Sequence, residues 1–283
     1  MSDPRSTPAN GRVAHTSLRG KVEADSFVDG NWAMVTAPLA PVLNAPGGAR
    51  GRELLLGAEF CVLEDRGGFS FGFARRDGYV GYIASEVLRI PAIRPTHEVD
   101  AIRSYAKEVP DLKDTGVALP ISFGAGVSVI ATSGAWSKFS SQGRELCIPS
   151  AHLRPRGLVH SDPASVAEMF LGTPYLWGGN SAFGIDCSGL VQAALEACAI
   201  PCLAGDSDQQ EALLGMDIAA DKPLRRNDLL FWKGHVAMCV DADTMIHANA
   251  NDMAVAYEAI APAIARIEAA GDGPVTARKR LAV

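Results

Sequence analysis

The sequence predicts a multidomain chain: two small β-barrels in tandem, followed by an α+β domain. Three observations carry this. From about residue 25 to 157 the chain reads as short apolar runs broken by Gly and Pro, as in LLLGAEFCVLEDRGGFSFGFARRDGYVGYI, a strand pattern too interrupted for helices. An internal echo divides that stretch, because Ile83, Ser85, Leu88 and Arg89 recur at one constant offset as Ile148, Ser150, Leu153 and Arg154, and Gly68-Phe69 returns as Ala135-Trp136 slightly out of step. After Arg156 the character changes to helical spacing and longer apolar strands.

Each element follows in order. Residues 1–24, rich in Ser, Pro, Arg and Gly, form a mobile arm or a strap over another domain; residues 25–95 and 96–157 are the two barrels, and residues 158–283 the last domain. One irregular β-domain with a chance echo is the competing reading of 25–157. In DPASVAEMFLG an Asp-Pro start predicts a helix from near 162 to Gly172. GTPYLWGGNSAFGID is then a Gly-rich loop, and SGLVQAALEACAI is a second helix. NDLLFWKG, HVAMCVDADTMIHANA and PVTARKRLAV supply the strands of a small antiparallel sheet.

Composition narrows the function classes. With 48% hydrophobic and 20% charged residues in 283, the chain can bury more than one core. A net charge of -6, with Arg75-Arg76 and Arg225-Arg226 the most that basic clustering offers, argues against nucleic acid as a partner. The N-terminus is polar where a signal peptide would be apolar, and no run approaches the ~20 apolar residues of a membrane span, so a cytoplasmic location is expected. The six cysteines are too dispersed for a disulfide framework. Cys198 and Cys202 lack a neighbouring His and read as core filling, so neither a metal nor a cofactor is expected.

One cysteine stands apart. Cys187, in Gly-Ile-Asp-Cys-Ser-Gly-Leu, follows the Gly-rich loop and opens an apolar helix, where free N–H groups and the helix dipole are expected to lower a thiol pKa and to hold an oxyanion. Of six histidines, His235 opens one strand and His247 lies in the next, behind the turn Asp241-Ala242-Asp243. An odd number of turn residues places both rings on one side of the hairpin, so that His235 can serve as base while His247 fixes its tautomer. A core cysteine with two strand histidines is the alternative.

These motifs, TPYLWGG, DCSGL, NDLLFW, GHV and MIHA in this order, resemble NlpC-type peptidases, a reduced form of the papain-like fold, over roughly residues 160 to 283. The apolar strand, Ser, short turn with Leu, and Arg that end each echo resemble the close of bacterial SH3-like domains. Tandem SH3-like domains ahead of such a peptidase look like those of γ-D-glutamyl-L-diamino acid endopeptidases. The resemblance implies cleavage of peptidoglycan-derived stem peptides such as L-Ala-γ-D-Glu-diaminopimelate, in recycling or turnover, by thiolate attack and an acyl-enzyme.

By the same resemblance Tyr175 contributes its hydroxyl to the oxyanion hole and Trp177 walls the substrate groove. Asp186 and Ser188 hold substrate beside the nucleophile. Asp206 and Ser207 lie on another substrate-contacting loop or simply cap a helix. Tyr82, with Glu53 or Glu59, would contact a free substrate amine from the first SH3-like domain. Three other readings remain open: acyl transfer on the same Cys-His fold, Zn²⁺ held by Cys187, His235 and His247, and a non-catalytic wall-binding protein. The oligomeric state is not legible.

Overall fold

The computed structural model describes residues 3–282; Met1, Ser2 and Val283, at the outer ends of the expected arm and of the expected last domain, lie outside the described residues. The chain divides into two compact units, residues 1–158 and 159–283.

In the first unit seven strands form one sheet: β1 (Asn31–Val35), β2 (Leu39–Leu43), β3 (Arg50–Leu55), β4 (Glu59–Arg66), β5 (Phe69–Ala74), β6 (Val80–Ala84) and β7 (Leu88–Arg89), in the order β3-β2-β6-β5-β4-β1-β7. Alternation along β2 sends Ala40 and Val42 inward, where they meet Val35, Phe60 and Ile83. β3 serves two cores at once: Leu54 joins this cluster, while Leu55 and Leu56 pack with Val99, Ile121, Phe139 and Ile148 of the following module. That double duty explains why Leu54-Leu55-Leu56 is a continuous apolar run and not an alternating one.

The expected barrels are not formed. The seven-stranded sheet stays open, since its end strands β3 and β7 are not neighbours and β2 meets β6 through one pair, Leu43 with Tyr82. β7 is two residues long and is followed by Pro91, which has no N–H to extend a ladder. The second module is three small sheets, of three, two and three strands, with residues 107–118 outside any strand. Strands this short cannot wrap around a closed cylinder.

The echo is nonetheless structural. Ser85–Val87 and Ser150–His152 form matching 3₁₀ turns, entered from Ala84 (φ −57°, ψ 125°) and Pro149 (φ −56°, ψ 124°). In each, the serine N–H donates to the carbonyl of the echoed residue, Gly68 at 2.9 Å and Ala135 at 2.8 Å, and its hydroxyl meets a buried serine, Ser70 at 3.0 Å or Ser137 at 2.9 Å. The N-terminal segment lies on this unit: the strand Val13–His15 pairs in parallel with Ser26–Val28, and Val80 N donates to Arg5 O.

The second unit is α+β. Helices α1 (Pro163–Met169), α2 (Cys187–Ala197), α3 (Ser207–Leu213) and α4 (Ile260–Ala270) accompany a six-stranded sheet of β8 (Met216–Asp217), β9 (Leu229–Trp232), β10 (His235–Cys239), β11 (Thr244–Asn249), β12 (Ala254–Ala259) and β13 (Ala277–Arg280), ordered β8-β13-β9-β10-β11-β12 and antiparallel throughout. α1 starts at Pro163, where Ala164 N donates to Asn227 Oδ1, and Arg226 ties the helix down through Asp162, Ser165 and Glu168. α2 buries Leu190, Val191, Ala194 and Leu195 and packs against β10 and β11. α4 buries Ile260, Ala263 and Ile267 with Leu230, Trp232 and Met245. Among the described residues no helix is long and apolar enough to cross a membrane.

Gly72 in β5 tests the close pairing of the first sheet, because a Cβ there would lie 1.8 Å from the Cys61 carbonyl oxygen of β4. Gly72→Ala is expected to destabilise the protein by about 2–4 kcal/mol in urea unfolding, through displacement of β4.

Candidate active site

The site is built at the start of α2. Asp186 precedes the helix in an extended conformation (φ −97°, ψ 178°), and its Oδ1 accepts from Gly189 N at 2.7 Å and from Ser188 Oγ at 2.9 Å. Its Oδ2 accepts from Gly178 N at 2.9 Å, which binds the Gly-rich approach to the helix start. The approach needs its glycines: Gly178 has φ +68°, and a Cβ on Gly189 would lie 2.6 Å from Gly179 O.

Cys187 is the first residue of α2, with 6% of its surface exposed. The backbone N–H groups of Val236, Ser188 and Cys187 itself lie close enough to the sulfur to favour its anion. The expectation of a lowered thiol pKa is corrected here. Burial pushes the Cys187 thiol up to about 12, the Asp186 carboxylate adds to the rise, and the three N–H groups oppose it without prevailing. The resting sulfur is a thiol.

His235 opens β10. The β10–β11 ladder pairs Met238 with Ile246 and Cys239 with Met245, and Val240 N donates to Thr244 O at 2.9 Å, leaving Asp241, Ala242 and Asp243 as the turn. With that odd turn the two histidines face one side, and His235 Nε2 lies 2.8 Å from His247 Nδ1. The opposite nitrogen of His247, Nε2, lies 3.1 Å from Glu258 Oε2 of β12. Arg266 of α4 grips the same carboxylate, Nη2 to Oε2 at 2.6 Å and Nε to Oε1 at 2.9 Å. Burial pushes His235 down to about 3 and lowers His247 as well, so both rings are neutral.

Among the described residues the thiol makes no hydrogen bond to the His235 ring. The fold instead sets them at adjacent places: the N–H meeting the sulfur belongs to Val236, the residue after His235. Catalytic hydrogen bonds in unliganded sites commonly tighten only when substrate arrives. The Tyr175 phenol is coupled to Cys187 too. Its pKa is pushed up to about 12 by burial, then by Cys187 and Asp186, so it remains an O–H donor.

The other expected residues are distributed as follows. Trp177 is exposed. Ser188 is buried, and its carbonyl accepts from Gln210 Nε2 of α3 at 2.9 Å. Asp206 and Gln209 form a capping box at the start of α3, with buried Ser207 its first residue. Tyr82, Glu53 and Glu59 belong to the first unit. There Asn10 Nδ2 donates to Tyr82 Oη at 3.4 Å, while Glu53 pairs with Arg50 and Glu59 with Arg75, both at 3.0 Å. Among the described residues no group of three or more His, Cys, Asp and Glu side chains is disposed to hold a metal ion.

Four participants escaped sequence reading: the Val236 N–H, Gln210, Glu258 and Arg266. The spacing of Ile260, Ala263, Ile264 and Ile267 announces α4. Nothing in it announces that Arg266 reaches back to Glu258 near the end of β12.

A helix-start thiol against a sheet bearing two hydrogen-bonded imidazoles defines the thiol–imidazole class of sites. Residues 172–266 match the NlpC/P60 family and residues 42–88 the bacterial dipeptidyl-peptidase Sh3 domain, so the chain couples an NlpC/P60-family domain to an SH3-like domain. A gamma-D-glutamyl-L-lysine dipeptidyl-peptidase of Bacillus cereus (strain ATCC 10987 / NRS 248) is 38% identical over 96 residues, 31% of this chain and 28% of that protein. Dipeptidyl-peptidase 6 of Lysinibacillus sphaericus is 36% identical over 83 residues, 29% of this chain and 30% of that protein. The matched segments thus span under a third of these relatives' length. An NlpC/P60 family protein of known structure from Bacillus cereus ATCC 10987 superposes over 88% of this chain and 99% of its own with a TM-score of 0.73 at 18% identity, a likeness of fold.

Two outcomes follow from the protonation states. With a resting thiol, the alkylation rate of Cys187 by iodoacetamide should climb with pH above about 8 and show no plateau between about pH 5 and 8; a plateau there would reveal a preformed thiolate. For stability, both histidines have folded pKa values below the unfolded 6.5, so the unfolded chain binds more protons under that pH. The stability they lend is complete above pH 6.5 and is lost as pH falls toward the folded values, by up to about 1.4 kcal/mol per pH unit per ring. Denaturant titrations should show this slope, and His247→Asn should reduce it.

Proposed function

We propose that the protein is a cysteine peptidase that hydrolyses the γ-D-glutamyl bond to a diamino acid in peptidoglycan-derived stem peptides. The observation that carries the reading is the buried thiol of Cys187 at the start of α2, favoured as an anion by the N–H of Val236, the residue after His235, whose ring is hydrogen-bonded to His247. The activity of the gamma-D-glutamyl-L-lysine dipeptidyl-peptidase relative supports the substrate class.

In this reading Cys187 is the nucleophile and His235 its base. As the γ-D-glutamyl carbonyl reaches the sulfur, the thiol proton passes to His235, a C–S bond forms, and the carbonyl oxygen becomes an oxyanion held by α2 N–H groups and the Tyr175 hydroxyl. His235 returns the proton to the departing amine of the diamino acid as the amide C–N bond breaks. Water, deprotonated by His235, then splits the thioester and releases the shortened peptide.

His247 orients His235, and exposed Trp177 walls the groove. Asp186 Oδ2, with Gly178 N as its donor, keeps a lone pair for a substrate amine, while Ser188 Oγ supports Asp186. Asp206 and Ser207 shape the neighbouring loop through the α3 cap. Recycling or turnover of wall fragments is the process this substrate implies.

Mass spectrometry of L-Ala-γ-D-Glu-diaminopimelate should show release of diaminopimelate by the wild type. Loss of kcat on the order of 10⁴-fold or more is expected for Cys187→Ala, with an N-blocked peptide turned over poorly. Absence of turnover on every such peptide, with thioester labelling by other acyl donors, would redirect the assignment to acyl transfer.

A further inference from the structure

The hydrogen-bond chain does not stop at the two histidines. From His235 the line runs through His247 to Glu258 and Arg266, the last two drawn from β12 and α4.

Donor and acceptor rules leave one arrangement of protons along this line. Arg266 donates twice to Glu258 and holds its pKa below the usual carboxylate range, so Glu258 is ionised and can only accept. The His247 nitrogen facing it, Nε2, therefore carries the hydrogen. In a neutral ring Nδ1 is then an acceptor, and the atom 2.8 Å away, His235 Nε2, must be the donor. Neutral His235 has one ring hydrogen, so its Nδ1 is left with a lone pair.

The reversed arrangement would be fatal to the chemistry. With the hydrogen on His247 Nδ1, donation would run toward His235 Nε2 and push the His235 hydrogen onto Nδ1, which then could take no proton from a thiol. The two rings alone have no strong preference between these states. Glu258 supplies it.

We propose that Glu258 and Arg266 are positioning residues: Arg266 fixes the carboxylate, the carboxylate selects the His247 tautomer, and His247 thereby presents His235 Nδ1 as the acceptor for the Cys187 proton. This rests on the reading of Cys187 and His235 as nucleophile and base. The charged groups facing the rings are Glu258, Arg266 and Asp252, of which Asp252 is bonded to Asn249 Nδ2 at 3.0 Å. Glu258 raises the basicity of both rings and Arg266 lowers it. Because their charges oppose, the pair acts by orientation more than by net field.

The test is two-bond ¹H–¹⁵N correlation on ¹⁵N-histidine-labelled protein near pH 7.5, with ring signals assigned through His235→Asn and His247→Asn. In the wild type both rings should carry hydrogen on Nε2. In Glu258→Ala a population of His235 with hydrogen on Nδ1 should appear, with kcat down about 10- to 100-fold and KM within about threefold. In Glu258→Gln, whose amide can offer either oxygen or nitrogen to the ring, kcat should track the fraction of His235 with a free Nδ1. Wild-type His235 protonated on Nδ1 would overturn the proposal, as would Glu258→Ala with unchanged ring signals and unchanged kcat. If Glu258→Ala loses its near-UV circular dichroism, the wild-type spectrum and Glu258→Gln decide. Failure of the underlying reading would look different: full turnover by Cys187→Ala, whatever the ring spectra show.

Discussion

The contact between His235 and His247 is the one on which the site depends. The ladder of β10 and β11 ends at Met238–Ile246, and beyond that pair a 2.8 Å bond joins two ring nitrogens, one from each strand. Two neutral rings in a buried setting can make that bond in only two ways, and each way gives His235 a different proton map. A low-dielectric interior makes the choice strict, because neither ring can resolve the conflict by taking a second proton cheaply. The carboxylate of Glu258 biases the choice from one end, and the proposed proton transfer from Cys187 uses it at the other.

Burial also explains how a helix-start cysteine can rest as a thiol. Three N–H groups and the helix dipole favour the anion, but their effect is smaller than the cost of an unsolvated charge beside the Asp186 carboxylate. The same donors become more effective once an acyl group brings developing charge to them, since they are already aimed and no water must be reorganised. A site of this kind is selective about when it ionises. In the proposed mechanism, thiolate and imidazolium appear together, as a pair whose charges offset one another, and not as a standing ion pair.

The first unit uses repetition without closure. Each β-module ends in a serine-led 3₁₀ turn whose hydroxyl pairs with a buried serine on a neighbouring strand, and this device stabilises the corner where a strand reverses. Between the modules, β3 lends one face to each core, so neither core is complete without it. At one open edge the end strand β7 is two residues long and gives little template for further pairing.

Several features were legible from residue order because they are local. Asp186 and the glycines before it announce a helix start at Cys187, the turn Asp241–Asp243 puts His235 and His247 on one side, and the repeat around Ser85 and Ser150 marks matching turns. Barrel closure was not legible, since it depends on whether β3 and β7 meet, and strands that share a sequence pattern need not share an edge. The thiol's raised pKa is not legible for a similar reason: the helix dipole can be read from sequence, whereas desolvation depends on the segments that fold over the sulfur. Glu258 and Arg266 lie in a stretch whose own pattern shows only a strand followed by an apolar helix. Sequence by itself determined which groups could do chemistry and how the nearest of them are spaced along the chain. Tertiary structure alone decided their protonation and the completion of the hydrogen-bond line, because both depend on what other segments exclude from, or bring to, the same few ångströms.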